Sequence, residues 1–227
     1  MKNYWYTTES INNCNEIKDL FEIWQCAQKD ENVLETKSCD AFVDPCSYTI
    51  DGIINADHYD TRGKRRILLI AKESNEFGDR PSICTNLKCA NGNGFWVAQN
   101  ININNRFING LAVLCNGLMN PSFGKPSIDK TALEASAFMN INKRAGFKKC
   151  NQKVLNRYFD AYKPFIVQEI NLINPTDIIC CGSGVIGLIK SIIEDINEPS
   201  LYMAIHPSHP FVSREKLLKS LEKVSID

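Results

Sequence analysis

Four short apolar runs, separated by longer helical patterns, constrain the fold of this chain more than any other feature. They are "RILLIA" (66–71), "ASAFMN" (135–140), "TDIICC" (176–181) and "LYMAI" (201–205). A strand covered on both faces reads as a nearly continuous apolar stretch, so runs of this kind belong in a parallel sheet beneath helices. Helical periodicity lies around them, at about 14–29, 100–118, 152–173, 184–195 and 213–224. This alternation predicts an α/β fold, a three-layer α/β/α sandwich around a central four-stranded parallel sheet. Ser213, ahead of Arg214 and Glu215, is the expected N-cap of the last helix.

A length of 227 residues with 44% hydrophobic content supports one substantial core. We therefore expect a single domain over 1–227, with residues 1–40 as an N-terminal helical extension. The 26 basic and 26 acidic residues cancel, so no global field attracts nucleic acid, and any such binding must use a local patch. The N-terminus has no apolar signal core, and no run approaches the roughly 18 apolar residues of a membrane span. A soluble, cytoplasmic chain without a membrane partner follows, with a monomer as the default. The ten cysteines are scattered, which in this setting predicts reduced structural thiols.

"CCGSGVIG" (180–187) contains a Gly-x-Gly-x-x-Gly, a pattern that binds dinucleotides when it follows the first strand of a βαβ unit and an acid ends the next strand. Here it follows the third expected strand, and "LYMAI" runs into His206. The glycines are therefore expected to let a helix start close against a strand end. No nucleotide cofactor is implied.

In a parallel sheet the carboxyl ends of the strands share one rim, where ligands bind. "KESN" (Lys72, Glu73, Ser74, Asn75) follows the first run, "NINK" (140–143) ends the second, and "HPSHP" (206–210) follows the fourth. This rim offers a carboxylate to hold a water, a carboxamide to read a heterocycle, and an imidazole to meet developing negative charge. The long connection at about 72–99 adds Phe95 and Trp96, rings on which a flat base could stack. Together these groups suit hydrolysis of an N-glycosidic bond.

Their order resembles that of the uracil-DNA glycosylase-like superfamily. "LLIAKESN" is similar to its first motif, with Glu73 in the acidic place. "AFMNINKRAG" resembles its Asn-x-x-Lys segment, with Asn140 at the base-reading position, and "IHPSHP" resembles its final His-Pro-Ser, carried by His206, Pro207 and Ser208. "DGII" (51–54) resembles a subgroup of uncharacterised bacterial members. The likeness covers roughly residues 40–225.

The resemblance implies a DNA glycosylase that excises a flipped uracil, deaminated or modified base, in repair or in defence against modified phage DNA. Glu73 and His206 are the expected catalytic pair, and Asn140, Phe95, Trp96, Lys72 and Ser74 are expected around the base. Lys143, Arg144, Ser208 and His209 are expected on DNA phosphates. Where iron–sulfur members carry a Cys after the Asn-x-x-Lys segment this chain has Arg144, so no cluster is expected. Cys39/Cys46 and Cys84/Cys89 lack zinc-knuckle spacing, and no metal is expected either. A non-catalytic DNA- or protein-binding member of the same fold, or an N-glycosidase of free nucleosides or nucleotides, is the alternative.

Overall fold

Strand pairing follows from the apolar runs. The computed structural model describes residues 6–35, 48–59, 65–74, 95–121, 124–145 and 150–226, without the side chains of 29–35, Ser74, Phe95 and Ala145. The elements, in order, are α1 (Thr8–Asn12), α2 (Ile17–Glu35), β1 (Gly52–Ile53), α3 (Ala56–Tyr59), β2 (Ile67–Ser74), α4 (Phe95–Asn100), α5 (Arg106–Met119), α6 (Thr131–Glu134) and β3 (Ser136–Ala145). They continue as α7 (Gln152–Ile173), β4 (Asp177–Cys181), α8 (Ser183–Lys190), β5 (Ser200–Ala204), α9 (Arg214–Lys219) and β6 (Glu222–Lys223).

The sheet is mixed and six-stranded, in the order β1-β3-β2-β4-β5-β6. Its inner four strands are the four apolar runs, paired in parallel throughout. The expected four-stranded sheet is thus widened by β1 and β6, two-residue antiparallel edges too short to show a period.

Each inner strand divides its side chains between two cores. Leu68, Ile70, Met139, Ile141, Ile178 and Cys180 pack with α2, α7 and α8. Leu69, Ala71, Phe138, Ile179 and Cys181 pack with α4, α5, α6 and α9. Helices therefore cover both faces, as the unbroken apolar character of the strands requires. Leu20, Phe21, Trp24 and Ala27 of α2 are buried in the first of these cores, so the segment read as an N-terminal extension contributes to the core itself.

Capping explains several boundaries. Asn105 accepts the Phe107 and Ile108 N–H groups and starts α5 six residues later than the periodicity suggested. Ser213 caps α9 through the Lys216 N–H, as expected. That helix stops at Lys219, because residues 222–223 pair with β5. In α7, Pro164 removes one helical N–H, and the chain kinks at Tyr162. Among the described residues, no helix is long and apolar enough to cross a membrane.

Candidate functional site

The chain leaves β2 to build β3 on one side and later lays β4 on the other. Connections parting in opposite directions open a crevice at the carboxyl ends of these neighbours, the usual ligand position in open α/β sheets. Lys72 and Glu73 end β2 there, and the glycine turn follows β4.

Gly182 has φ +102°, a left-handed geometry that favours glycine, and its N–H bonds the Ala204 carbonyl at 2.8 Å. A Cβ on Gly184 would stand 2.8 Å from Lys72 Nζ and collide with Gln152. The motif is thus a tight strand-to-helix turn that admits two polar side chains. Lys72 Nζ donates to Gln152 Oε1 at 3.2 Å, and Gln152 Nε2 donates to the Gly184 carbonyl at 3.2 Å.

Glu73 is paired in register with Asn142, whose Nδ2 donates to Glu73 Oε2 at 3.2 Å. The Cys150 thiol also hydrogen-bonds this carboxylate. Burial and the Glu73 charge, opposed by Lys72, push that thiol up to about 12. It therefore stays protonated and is a donor to Glu73, not a nucleophile.

His206 stands just past β5, half-buried, its ring stacked on Phe107 at 5.7 Å between centroids. Its Nδ1 accepts the Ser208 backbone N–H at 3.3 Å, with Ser208 Oγ 2.9 Å away. This leaves the ring proton of neutral imidazole on Nε2. Burial first, then the charges of Lys72 and His209, hold the ring below its ordinary 6.5. The result is a neutral N–H donor at neutral pH. Gly110 of α5 makes this placement possible: a Cβ there would lie 2.7 Å from Pro207 Cβ and 2.9 Å from its carbonyl oxygen.

Phe107 is also the centre of an aromatic cluster. Trp96 lies 6.1 Å from it, and Phe138 packs edge-on at 5.7 Å. Asn140, two residues beyond Phe138, projects on the same sheet face by strand alternation. It is only 4% exposed, yet its carboxamide has no hydrogen-bond partner among the described residues. Its backbone N–H is held by Asp51 Oδ2 at 2.6 Å.

The expected site residues therefore separate into groups. Lys72 and Glu73 share the surroundings of Cys150, and Lys72 also acts on His206. Trp96 joins the same neighbourhood through Phe107. Ser208 and His209 are exposed beside His206. The side chains of Ser74 and Phe95, together with Asn75, lie outside the described residues, as do both cysteine pairs weighed for zinc.

The expected phosphate contacts of Lys143 and Arg144 are corrected. Lys143 is fully buried, its ammonium paired with Asp51 and with Glu169 at 2.8 Å. It also lies 5.2 Å from the Phe21 and Trp24 ring centroids. Arg144 is 6% exposed, with its guanidinium over Tyr158 at 5.4 Å. Neither can reach a phosphate, because β3 runs on to Ala145 and carries both into the core.

Sequence reading missed Phe107, Gly110, Asn142, Cys150 and Gln152. Asn142 was legible, since the two-residue period of a strand places it on the face of Asn140. The others meet the rim only through tertiary packing. Among the described residues, no group of three or more His, Cys, Asp or Glu side chains is placed to hold a metal. No family model and no curated protein matches the chain.

Proposed function

We propose that this chain is a DNA N-glycosylase built on the uracil-DNA glycosylase-like plan, hydrolysing the bond between a flipped-out base and its sugar. The observation that carries the reading is the setting of His206, half-buried, stacked on Phe107 and bonded through Nδ1 to the Ser208 N–H. An imidazole kept neutral, with Nδ1 occupied by the Ser208 N–H and its proton on Nε2, is a ready donor to a base leaving as an anion. The order of the inner strands supports it too, placing Glu73 and His206 along one rim.

In this reading a nucleotide rotates out of the strand and its base enters beside Trp96 and Phe107, where stacking favours a flat heterocycle. The Asn140 carboxamide, with no partner among the described residues, reads the polar edge of the base with one donor and one acceptor. Glu73, fixed by Asn142 and Cys150, orients a water. The water oxygen attacks the sugar carbon, and its proton passes to Glu73. The carbon–nitrogen bond breaks, the electron pair leaves with the base, and His206 Nε2–H stabilises the resulting anion. Phe211, 87% exposed on the loop that carries His206, offers an apolar surface to an unstacked step.

One observation favours a second reading. Burial of Lys143 and Arg144 removes two of the expected phosphate contacts, which suits an N-glycosidase of free nucleosides or nucleotides. Mass spectrometry of bases released from oligonucleotides carrying uracil, deaminated purines or hypermodified bases, alongside the matching monomers, tests both. Release from oligonucleotides alone supports the glycosylase. Equal release from monomers supports the alternative, and release from neither overturns both.

A further inference from the structure

We infer that Asp51 is a positioning residue for Asn140, fixing from behind the peptide whose carboxamide faces the base. The inference rests on the base-reading role proposed for Asn140. Its own evidence is the arrangement of one carboxylate, one backbone N–H and one buried ammonium.

The edge strand β1 pairs with β3 only at Gly52 and Ile53, opposite Phe138 and Ala137. Beyond it, among the described residues, no strand residue pairs with the outer edge of β3 to accept its N–H groups, and a buried N–H must find a partner. Asp51 supplies one: Oδ2 accepts the Asn140 N–H at 2.6 Å, while Oδ1 accepts the Lys143 ammonium. One carboxylate thus grips two points of a single strand. Lys143 is anchored in turn by Glu169 at 2.9 Å, and its carbonyl accepts the Thr49 N–H at 2.6 Å.

All three charged side chains are almost fully buried. Buried ion networks are poor stabilisers compared with apolar packing of similar volume, so their value lies in geometry. The carboxamide of Asn140 has no partner of its own among the described residues. Its place at the site therefore depends on the position of the peptide it hangs from, and Asp51 holds that peptide by a charge-assisted bond.

The test uses the full chain and nuclear magnetic resonance, with Asp51→Asn as the first variant. That change keeps a neutral acceptor for the Asn140 N–H but weakens the bond and removes the charge facing Lys143. Asp51→Glu, which keeps the charge but moves the oxygens by one methylene, serves if Asp51→Asn does not fold. The probes are a single-stranded oligonucleotide with one uracil and the same strand with a tetrahydrofuran abasic analogue there.

The expected result is that the Asn140 backbone and Nδ2 resonances shift while those of Phe107 stay in place. Preference for the uracil strand over the abasic strand should fall about tenfold, the scale of one charged hydrogen bond. Affinity for the abasic strand should stay within about twofold. Unmoved Asn140 resonances, or a lower melting temperature with base preference intact, would overturn the inference and mark the network as purely structural. If the wild-type chain shows no base preference, the base-reading role fails. The Nδ2 resonance then decides alone: a shift in either variant upholds positioning by Asp51, and no shift rejects it.

Discussion

The two faces of the sheet treat polar groups in opposite ways. On the α7 face, the Lys143 ammonium bonds both Asp51 and Glu169 and lies close to the Phe21 and Trp24 rings. On the α5 face, neither the Asn140 carboxamide nor His206 Nε2, beside Phe107, has a hydrogen-bond partner among the described residues. Groups closed on each other fix a backbone, whereas groups left open have something to offer a ligand. β3 belongs to both: Lys143 enters the ion network, while Asn140 and Asn142 lie on the Phe138 side of the strand.

The largest effect should come from breaking the closed face. Lys143→Ala strands two buried carboxylates and should cost about 3–5 kcal/mol in urea unfolding. A loss below about 1 kcal/mol would show that the network is not truly closed.

Next in size is the open face. His206→Ala and Glu73→Gln should each slow base release on the order of 100- to 1000-fold while leaving unfolding midpoints and DNA affinity close to wild type. Comparable loss of stability would remove the contrast between the faces.

Gly110→Ala sharpens it further. The added methyl overlaps Pro207, so the loop bearing His206 must shift. A stability loss of about 1–3 kcal/mol is expected, with a larger proportional drop in base release.

The smallest effect is a titration. Burial holds His206 below 6.5 in the folded chain, so between its folded value and 6.5 the unfolded state binds more protons. Stability from this group is full above pH 6.5 and declines as pH falls. The His206 ring protons should titrate with a midpoint below 6.5, and base release should persist through pH 6.5. A midpoint above that value would contradict the neutral donor.

The inner sheet was legible because strands covered on both faces carry unbroken apolar runs, and α7 because its periodicity spans 152–173 without interruption. The edges were not, since two residues display no period. Lys143 and Arg144, expected on DNA phosphates, proved to be core. Their partners are tertiary: Lys143 is held by Asp51 and Glu169, far away in sequence, and Arg144 by the Tyr158 ring. Lys72, Glu73 and His206 were legible as strand-end residues, whereas Asn140, expected to end its strand, lies within β3, which runs on to Ala145. What supports them was not, because Phe107, Cys150 and Gly110 look like ordinary helix or loop positions until packing brings them to the site.

The most direct measurement follows backbone and side-chain resonances of the chain as an oligonucleotide with a central abasic analogue, together with free uracil, is titrated in. Perturbations confined to Asn140, the Trp96 indole, Phe107 and the His206 Nε2 proton are predicted. Perturbations elsewhere with these four unmoved would contradict the account.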